Sequence, residues 1–423
     1  MKFSKICVLG MGYIGLPTAS TFASKGIHVL GVDVNNRVIE TLKMGKLHII
    51  EPGLRPLVQQ AIAHGHLEFS QSVAEADAFI IAVPTPFKGN KLADMSFVIS
   101  AVESVLPWLH KGNLVVLEST SPPRTTMDLI LPILERSGLK AGEDFYLAYS
   151  PERVLPGQIL RELIDNARVI GGVNQASAEA GRDLYATFVK GEIILTDATT
   201  AEMVKLMENT YRDINIAVAN EFSQLAERFG IDVWEAISLA NHHPRVNILN
   251  PGPGVGGHCI GVDPWFFVEA APDITPLIHT ARQVNDNQPH FVLNWMESHL
   301  GDLKGKHICA LGLTYKPNVD DFRESPAVEV VKLLGAKGAV VTAYDPFKMR
   351  EAVDGITLTD DLGKSLNGAE VAVILVAHEE IKKLNPAIFS GVHTIFDTVN
   401  ITNGNQWQDS PIPVFRLGAN KPE

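Results

Sequence analysis

In the stretch "VGGHCIGVDPWF", residues 255–266, a cysteine sits inside a glycine-rich turn and an aspartate follows at Asp263. The chain has only 3 Cys in 423 residues, so Cys259 stands out. Gly256 and Gly257 lie just upstream, and small neighbours leave the sulfur approachable. An approachable thiol adds to a carbonyl carbon, and oxidising that adduct gives a thioester. The alternative is a buried structural cysteine. A second set lies upstream. Lys205 and Asn209 are spaced i, i+4 and share one face of a helix, and Arg212 extends the stripe. The flanking Met203, Val204, Leu206, Met207, Ile214 and Ile216 are apolar, so these polar groups need a buried purpose. An ammonium and an amide together suit an oxyanion. Glu152 in "SPERV" is a candidate base for orienting water, or an ordinary loop carboxylate.

A redox partner for that thiol is written at the N-terminus. "GMGYIG" places Gly10, Gly12 and Gly15 in the G-x-G-x-x-G spacing, between a strand pattern and a helix pattern. Gly10 permits the tight turn, Gly12 lets backbone approach a pyrophosphate, and Gly15 lets helix and strand pack closely. The phosphates would meet the unpaired N–H groups of the helix N-terminus. A second strand pattern ends at Asp33, about 20 residues on, where an acid accepts from ribose hydroxyls. Asp33 favours NAD over NADP, because its charge repels a 2′-phosphate; Arg37 nearby acts the other way. Thr85 in "VPTP" and Thr120 in "EST" follow strand patterns, where open α/β sheets bind ligands or where helices are capped.

These residues need elements to hold them. "KICVLG", "HVLGVD", "AFIIAVPTP", "NLVVLEST" and "FYLAYSPE" read as buried parallel strands with helices between them, which predicts a doubly wound α/β domain. "ARVIGGV" and "GEIILTD" close it near residue 200. "TAEMVKLMENTYRDINIAVANEFSQLAERFG" reads as one long helix, apolar on most sides and so buried between domains, ended by Gly230. A Pro/Gly-rich loop and more helix around 276–300 follow. At "KHICALG" the strand–helix rhythm resumes and echoes "KICVLG", with Cys309 placed like Cys7. "AVVTAYD", "VAVILVA" and "HTIFD" are its further strands. This second copy lacks the glycine fingerprint, so only the first is expected to hold a dinucleotide. The fold class is therefore α/β: two Rossmann-like doubly wound domains, 1–199 and 301–423, joined by a central long-helix region, 200–300. The tail after about Asn403 has no readable period.

Composition excludes several classes. With 46% hydrophobic and 20% charged residues, the chain resembles a soluble globular protein. A net charge of −12 without a Lys/Arg cluster makes nucleic acid and anionic membrane poor partners. No apolar run approaches the roughly 18 residues of a membrane helix. The basic-then-apolar N-terminus is too short and glycine-broken for a signal peptide. Three scattered cysteines form no disulfide framework and point to a reducing compartment, by default the cytoplasm. Cys7 and Cys309 read as small core residues. No metal-ligand set is read.

Taken in order, the fingerprint, "VPTP", "EST", "SPER", "AEMVKLMENTYRDINIAVANE", "PGPGVGGHC" with Asp263, and "GLTYKPNVDDFRESP" resemble the UDP-glucose/GDP-mannose dehydrogenase family over nearly the whole chain. The resemblance implies an NAD-binding domain, a central helical linker that forms a homodimer, and a C-terminal nucleotide-sugar domain. It implies oxidation of a sugar C6 alcohol to a carboxylate with two NAD and one water. Carried over, Cys259 is the thiol nucleophile. Lys205 and Asn209 are the oxyanion and water-positioning pair, and Lys205 is also a proton donor or acceptor. Asp263 organises water near the thiol. Tyr13, Ile14, Asp33, Thr85, Thr126 and Arg323 fall where such enzymes contact NAD, and Tyr315 and Lys316 where they grip the nucleotide sugar.

Within the family, Pro156 replaces a second glutamate and Val262 replaces a lysine usual in the UDP-glucose branch. "SPERVLPG", "NHHPRVNIL" and "GGHCIGVDPWF" instead resemble the branch that makes N-acetylhexosaminuronates, with UDP-N-acetyl-D-mannosamine the implied substrate. UDP-N-acetylglucosamine and UDP-glucose are its rivals. In that branch Arg153, Val154, Arg212, His243, Arg245 and Gly256 would be substrate contacts, with His243 and Arg245 reaching across the dimer. Two other classes compete. A β-hydroxyacid dehydrogenase would need neither Cys259 nor a second Rossmann domain. A non-catalytic nucleotide-sugar sensor would not keep Cys259, Lys205, Asn209 and Asp263 together.

Overall fold

Branched and apolar runs build the strands, and in the computed structural model they form two parallel-rich sheets. It describes residues 2–89, 91–257, 259–347, 356–408 and 410–419. The chain divides into two compact units, Met1–Glu208 with Phe266–Pro272, and Asn209–Trp265 with Asp273–Glu423. Residues of the central segment, 200–300, are divided between these two units.

In the first unit, β1 (Lys5–Leu9), β2 (His28–Val32), β3 (Leu67–Ser70), β4 (Ala78–Ile81), β5 (Leu114–Leu117), β6 (Tyr146–Tyr149), β7 (Arg168–Gly172) and β8 (Ile193–Asp197) make one sheet. Its order is β3-β2-β1-β4-β5-β6-β7-β8. The first six strands follow the dinucleotide-binding order, with the reversal between β1 and β4. All neighbours are parallel except β6 and β7, which pair antiparallel. β4 and β5 are buried on both faces, which is why "AFII" and "LVVL" read as unbroken apolar runs. Alternation still sorts their side chains: Ile6, Val8, Ile80 and Val116 face one core, and Cys7, Leu9, Phe79, Ile81 and Val115 the other.

The second unit repeats the scheme. β9 (His307–Leu311), β10 (Val340–Tyr344), β11 (Thr357–Thr359), β12 (Val371–Ile374), β13 (Thr394–Asp397) and β14 (Val414–Arg416) lie in the order β11-β10-β9-β12-β13-β14. Ile308 and Ala310 face one core, Cys309 and Leu311 the other, matching the Cys7 side of β1. Burial raises the Cys7 thiol to about 12 and the Cys309 thiol to about 11, as expected of packing residues. The tail without a sequence period contains β14. A strand of three residues has too few side chains to show alternation, and tertiary bonds hold it. Trp234 Nε1 donates to the Leu417 carbonyl at 2.8 Å, and Arg416 pairs with Asp232 at 2.9 Å.

One helix runs unbroken over Ala198–Phe229 and ends before Gly230, whose φ of +67° stops it. It departs from the buried cylinder that its composition predicts. Ala219, Asn220, Ser223 and Ala226 are buried, but Tyr211, Val218, Phe222, Leu225 and Phe229 are exposed large hydrophobics. Their spacing of seven, four, three and four residues lines one seam. Among the described residues, no helix is long and apolar enough to cross a membrane.

Candidate functional site

The fingerprint loop joins β1 to the helix Gly15–Ser24 at the sheet's switch point. Gly10 has φ +97°, and a Cβ there would stand 2.5 Å from the Ala82 carbonyl oxygen. A Cβ on Gly15 would strike the Gly10 carbonyl. Around Gly12 there is open space, as close approach of a pyrophosphate requires. Asp33 follows β2, and its Oδ2 accepts from the Met11 N–H at 2.9 Å while Oδ1 accepts from Asn35 N–H at 2.8 Å. The acid is therefore oriented by the glycine loop itself and only half-buried. Tyr13 packs against the core, and Ile14 is the residue immediately before the helix. These residues fit a dinucleotide.

Across the crevice, Thr85 donates to the Thr120 carbonyl at 2.6 Å and Ser119 to the Val83 carbonyl at 2.7 Å, lacing the ends of β4 and β5 together. Thr126 is fully buried, and both its N–H and its hydroxyl go to Glu202, at 2.7 and 2.6 Å. Glu202 also takes the Arg124 N–H at 2.6 Å. Glu202 holds the chain at Thr126, a role unmarked in "TAEMVK".

Beyond β6 the structure ties Glu152 to Arg168 in a buried ion pair. Arg168 also donates to Ser150 Oγ at 3.0 Å, reaches Glu118 at 3.4 Å, and lies 4.1 Å over the Tyr185 ring. Tyr185 donates to Glu118 Oε1 at 2.6 Å. Burial lifts the Glu118 carboxyl to about 7 against the pull of Arg168, and Glu152 adds to the rise. Two charges in otherwise apolar strand runs, "VVLEST" and "ARVIGG", were the sequence signal for this cluster. Arg153 pairs with Glu208 at 2.6 Å, and Val154 packs on the core.

In the second unit the cysteine turn is anchored on three sides. The Cys259 carbonyl accepts from Val262 N–H at 3.1 Å and Asp263 N–H at 2.8 Å, so the turn leads directly into the helix Asp263–Ala270. Asp263 Oδ2 accepts from Asn209 Nδ2 at 2.5 Å, with both residues buried. Gly257 has φ +84°, and a Cβ there would lie 2.6 Å from the Tyr315 ring. A Cβ on Gly256 would strike the Glu324 carbonyl. The two glycines thus let the turn lie flat against the 315–326 segment. Cys259 itself is exposed. The Tyr315 hydroxyl is pushed up to about 12 by burial, then by Asp321 and Cys259. Arg323 is exposed and clasps Asp321 through Nε at 2.8 Å and Nη2 at 2.6 Å.

Lys205 lies one helical turn before Asn209 and is buried, at 8% exposed. Arg212, which extends the same stripe in sequence, is exposed. The inward residue is Asp213, held at 2.5 Å by the fully buried Arg282. Helical rotation past Asn209 decides this, and identity alone does not reveal it. His243 and Arg245 are exposed on the loop after the helix Val233–Ala240. Lys316 is half-buried beside Tyr315.

Three family models match consecutive parts of the chain. They are the NAD binding domain of the UDP-glucose/GDP-mannose dehydrogenase family over residues 4–189, its central domain over 199–287, and its UDP binding domain over 309–404. A UDP-N-acetyl-D-mannosamine dehydrogenase of Methanococcus maripaludis is 47% identical over 98% of this chain and 97% of its own length. An NDP-N-acetyl-D-galactosaminuronic acid dehydrogenase of Ralstonia nicotianae is 47% identical over 91% of this chain and 93% of its own. The solved UDP-D-ManNAc dehydrogenase of Pyrococcus horikoshii superposes with a TM-score of 0.91 at 40% identity, covering 99% of this chain and all of that one.

Proposed function

Because the chain belongs to the UDP-glucose/GDP-mannose dehydrogenase family, we propose that it oxidises C6 of UDP-N-acetyl-D-mannosamine from alcohol to carboxylate, consuming one water. NAD, bound at the Gly10–Gly15 loop and Asp33, supplies the hydride acceptor, two equivalents for each sugar. The observation that carries the reading is the exposed Cys259 turn pinned through Asp263 to Asn209. A purely structural cysteine would be buried, as Cys7 and Cys309 are.

In this reading the C6 alcohol first gives up a hydride and a proton to become an aldehyde. The Cys259 thiol then loses its proton, its sulfur bonds to C6, and the carbonyl oxygen takes up the electron pair. An Asn209 N–H not engaged by Asp263, and the Lys205 ammonium on the same helix, stabilise that oxyanion. Oxidation of the adduct leaves a thioester. Water then adds, the C–S bond breaks, and a proton returns to the sulfur. Asp263 organises that water. Glu152, fixed by Arg168, is the second carboxylate proposed to orient it.

The seam of Tyr211, Val218, Phe222, Leu225 and Phe229 is proposed to pair with the same seam of a second copy, giving a homodimer. The exposed His243 and Arg245 are then free to contact the partner's sugar. Three cysteines held in no disulfide suit a reducing, cytoplasmic setting. The second Rossmann-like unit counts against a β-hydroxyacid dehydrogenase, which has no use for it.

A second reading, another N-acetylated hexosamine epimer, is favoured by the Ralstonia relative. NADH release over a panel of UDP-sugars, with product mass, separates them. UDP-N-acetyl-D-mannosamine is expected to give the highest kcat/KM, with two NADH per sugar. A site that hydrogen-bonds the acetamido group rejects UDP-glucose by about 10⁴. A higher kcat/KM for UDP-N-acetylglucosamine or UDP-glucose overturns the sugar while leaving the thiol chemistry standing.

A further inference from the structure

The second sheet keeps the skeleton of a dinucleotide cradle but fills it from within. Gly312 follows β9 as Gly10 follows β1, with φ +84° and its N–H on the Tyr344 carbonyl at 2.8 Å. Asp345 follows β10 as Asp33 follows β2. Asp33 is half-buried and accepts two backbone N–H groups. Asp345 is fully buried and accepts three: Leu313 at 2.7 Å and Thr314 at 3.2 Å on Oδ2, and Phe347 at 2.8 Å on Oδ1.

The residue four beyond β4 is Thr85, and the residue four beyond β12 is His378. His378 is also fully buried, and its ring stacks on Phe347 at 5.2 Å. Its Nδ1 accepts the Asn318 N–H at 3.0 Å, so the ring carries its proton on Nε2. Nε2 stands 3.2 Å from Asp345 Oδ2 and 3.1 Å from Thr314 Oγ1. The Thr314 hydroxyl in turn donates to the Lys316 carbonyl at 2.9 Å. Asn318, at φ +61°, is held a second time where its Oδ1 accepts the Glu379 N–H at 3.0 Å.

The bonds from Asp345 Oδ2, His378 Nδ1 and Glu379, and the contact of His378 Nε2 with Thr314, fall on one loop. Asp345 fixes its start at Leu313 and Thr314, and His378 fixes its end at Asn318. Tyr315 and Lys316 lie between these anchors. We infer that His378, acting with Asp345, is a positioning residue that locks the Leu313–Asn318 loop so that Tyr315 and Lys316 are presented to the UDP moiety. The same pair saturates the acid that would otherwise accept ribose hydroxyls, so this cradle serves a single nucleotide. The inference rests on the proposed UDP-sugar reading.

The test uses the full chain, with UDP itself as the calorimetric probe and NADH release as the second readout. His378→Ala is expected to weaken UDP binding about tenfold, the effect of losing one well-placed buried hydrogen bond, and to raise the UDP-sugar KM in step. The NAD KM and the kcat at saturation should stay near wild type. A general loss of fold would instead lower the active fraction, and hence kcat, without moving UDP affinity. His378→Gln carries an acceptor and a donor on one amide and should recover most of the affinity. Should His378→Ala fail to fold, Thr314→Val decides, with weaker UDP binding expected. UDP affinity unchanged in His378→Ala, or in Thr314→Val where that variant decides, overturns the inference, as does an equal loss in His378→Gln. Wild-type protein that binds no UDP overturns the functional reading, and this inference with it. Wild type that binds UDP while the variants match it overturns the positioning role alone.

Discussion

Asn209 Nδ2 donates to Asp263 Oδ2 across 2.5 Å, joining the long helix to the first turn of the helix that the cysteine loop enters. Asn209 is 7% exposed and Asp263 is 2% exposed, so neither group can exchange this partner for bulk water. Removing the carboxylate strands a buried amide. Asp263→Ala is expected to cost about 1–3 kcal/mol of stability, the penalty of an unsatisfied buried donor, and to lower turnover. Asp263→Asn can turn its amide oxygen to Asn209, so it should keep the melting temperature while still losing turnover. Calorimetry alongside NADH assays checks the split. Equal stability loss in both variants would show that charge, and not the bond, matters.

Cys259→Ala should abolish acid formation and leave NAD binding near wild type, because the glycine loop and Asp33 are untouched. Cys259→Ser should accumulate an adduct, since an ester is opened by water less readily than a thioester. Intact-mass spectrometry after a single turnover reads the adduct directly. Normal acid production by the Ala variant ends the covalent mechanism.

Cofactor choice follows from Asp33. The carboxylate is oriented by the Met11 and Asn35 N–H groups and follows the second strand, where an acid in this fold takes the ribose 2′-hydroxyl and would repel a 2′-phosphate. kcat/KM is expected to favour NAD over NADP by roughly a hundredfold, within what two like charges a few ångströms apart impose at a protein surface. Asp33→Asn should narrow that gap. Equal kcat/KM with both cofactors in the wild type would mean that Arg37 overrides the carboxylate.

The buried Glu118 gives stability a pH dependence of defined sign. Its carboxyl is raised from the ordinary 4.5 to about 7, chiefly by burial. The folded state therefore holds the proton more tightly than the unfolded chain does. Stability from this group is complete below pH 4.5 and is lost as pH climbs to about 7, by up to about 3 kcal/mol. Glu118→Gln is neutral at every pH and should remove that part of the slope. Melting temperatures of the two proteins between pH 4.5 and 7.5 give the comparison, and parallel curves would rule the linkage out.

Phe222 lies at the middle of the exposed seam, with Val218 one turn before it and Leu225 about one turn after. Phe222→Asp is expected to turn a dimer into a monomer by light scattering, with little change in the melting temperature of the monomer's own cores. A dimer that survives this substitution would place the interface elsewhere.

Local residue chemistry alone determined a good deal of this protein. Unbroken apolar strands alternating with helix patterns are short-range signals from which both Rossmann-like sheets could be read, and three spaced glycines with an acid about one βαβ unit later marked the first as the dinucleotide domain. The echo between Cys7 and Cys309 held because β1 and β9 occupy the same place in their sheets. Cys259 could be singled out because glycines and a nearby aspartate surround it in sequence. Tertiary structure decided what depends on partners far along the chain. Glu152 acquires its setting from Arg168, Thr126 from Glu202, and Asn318 from His378, 60 residues away. Arg212 and Asp213 are neighbours in sequence, yet helical rotation exposes one and buries the other against Arg282. β14 has too few residues to show a period, and only the bonds of β13, Trp234 and Asp232 make it a strand. Hydrophobic pattern specifies which face of an element is buried, but a buried polar group is defined by the partner that satisfies it, and that partner is chosen only when the chain folds.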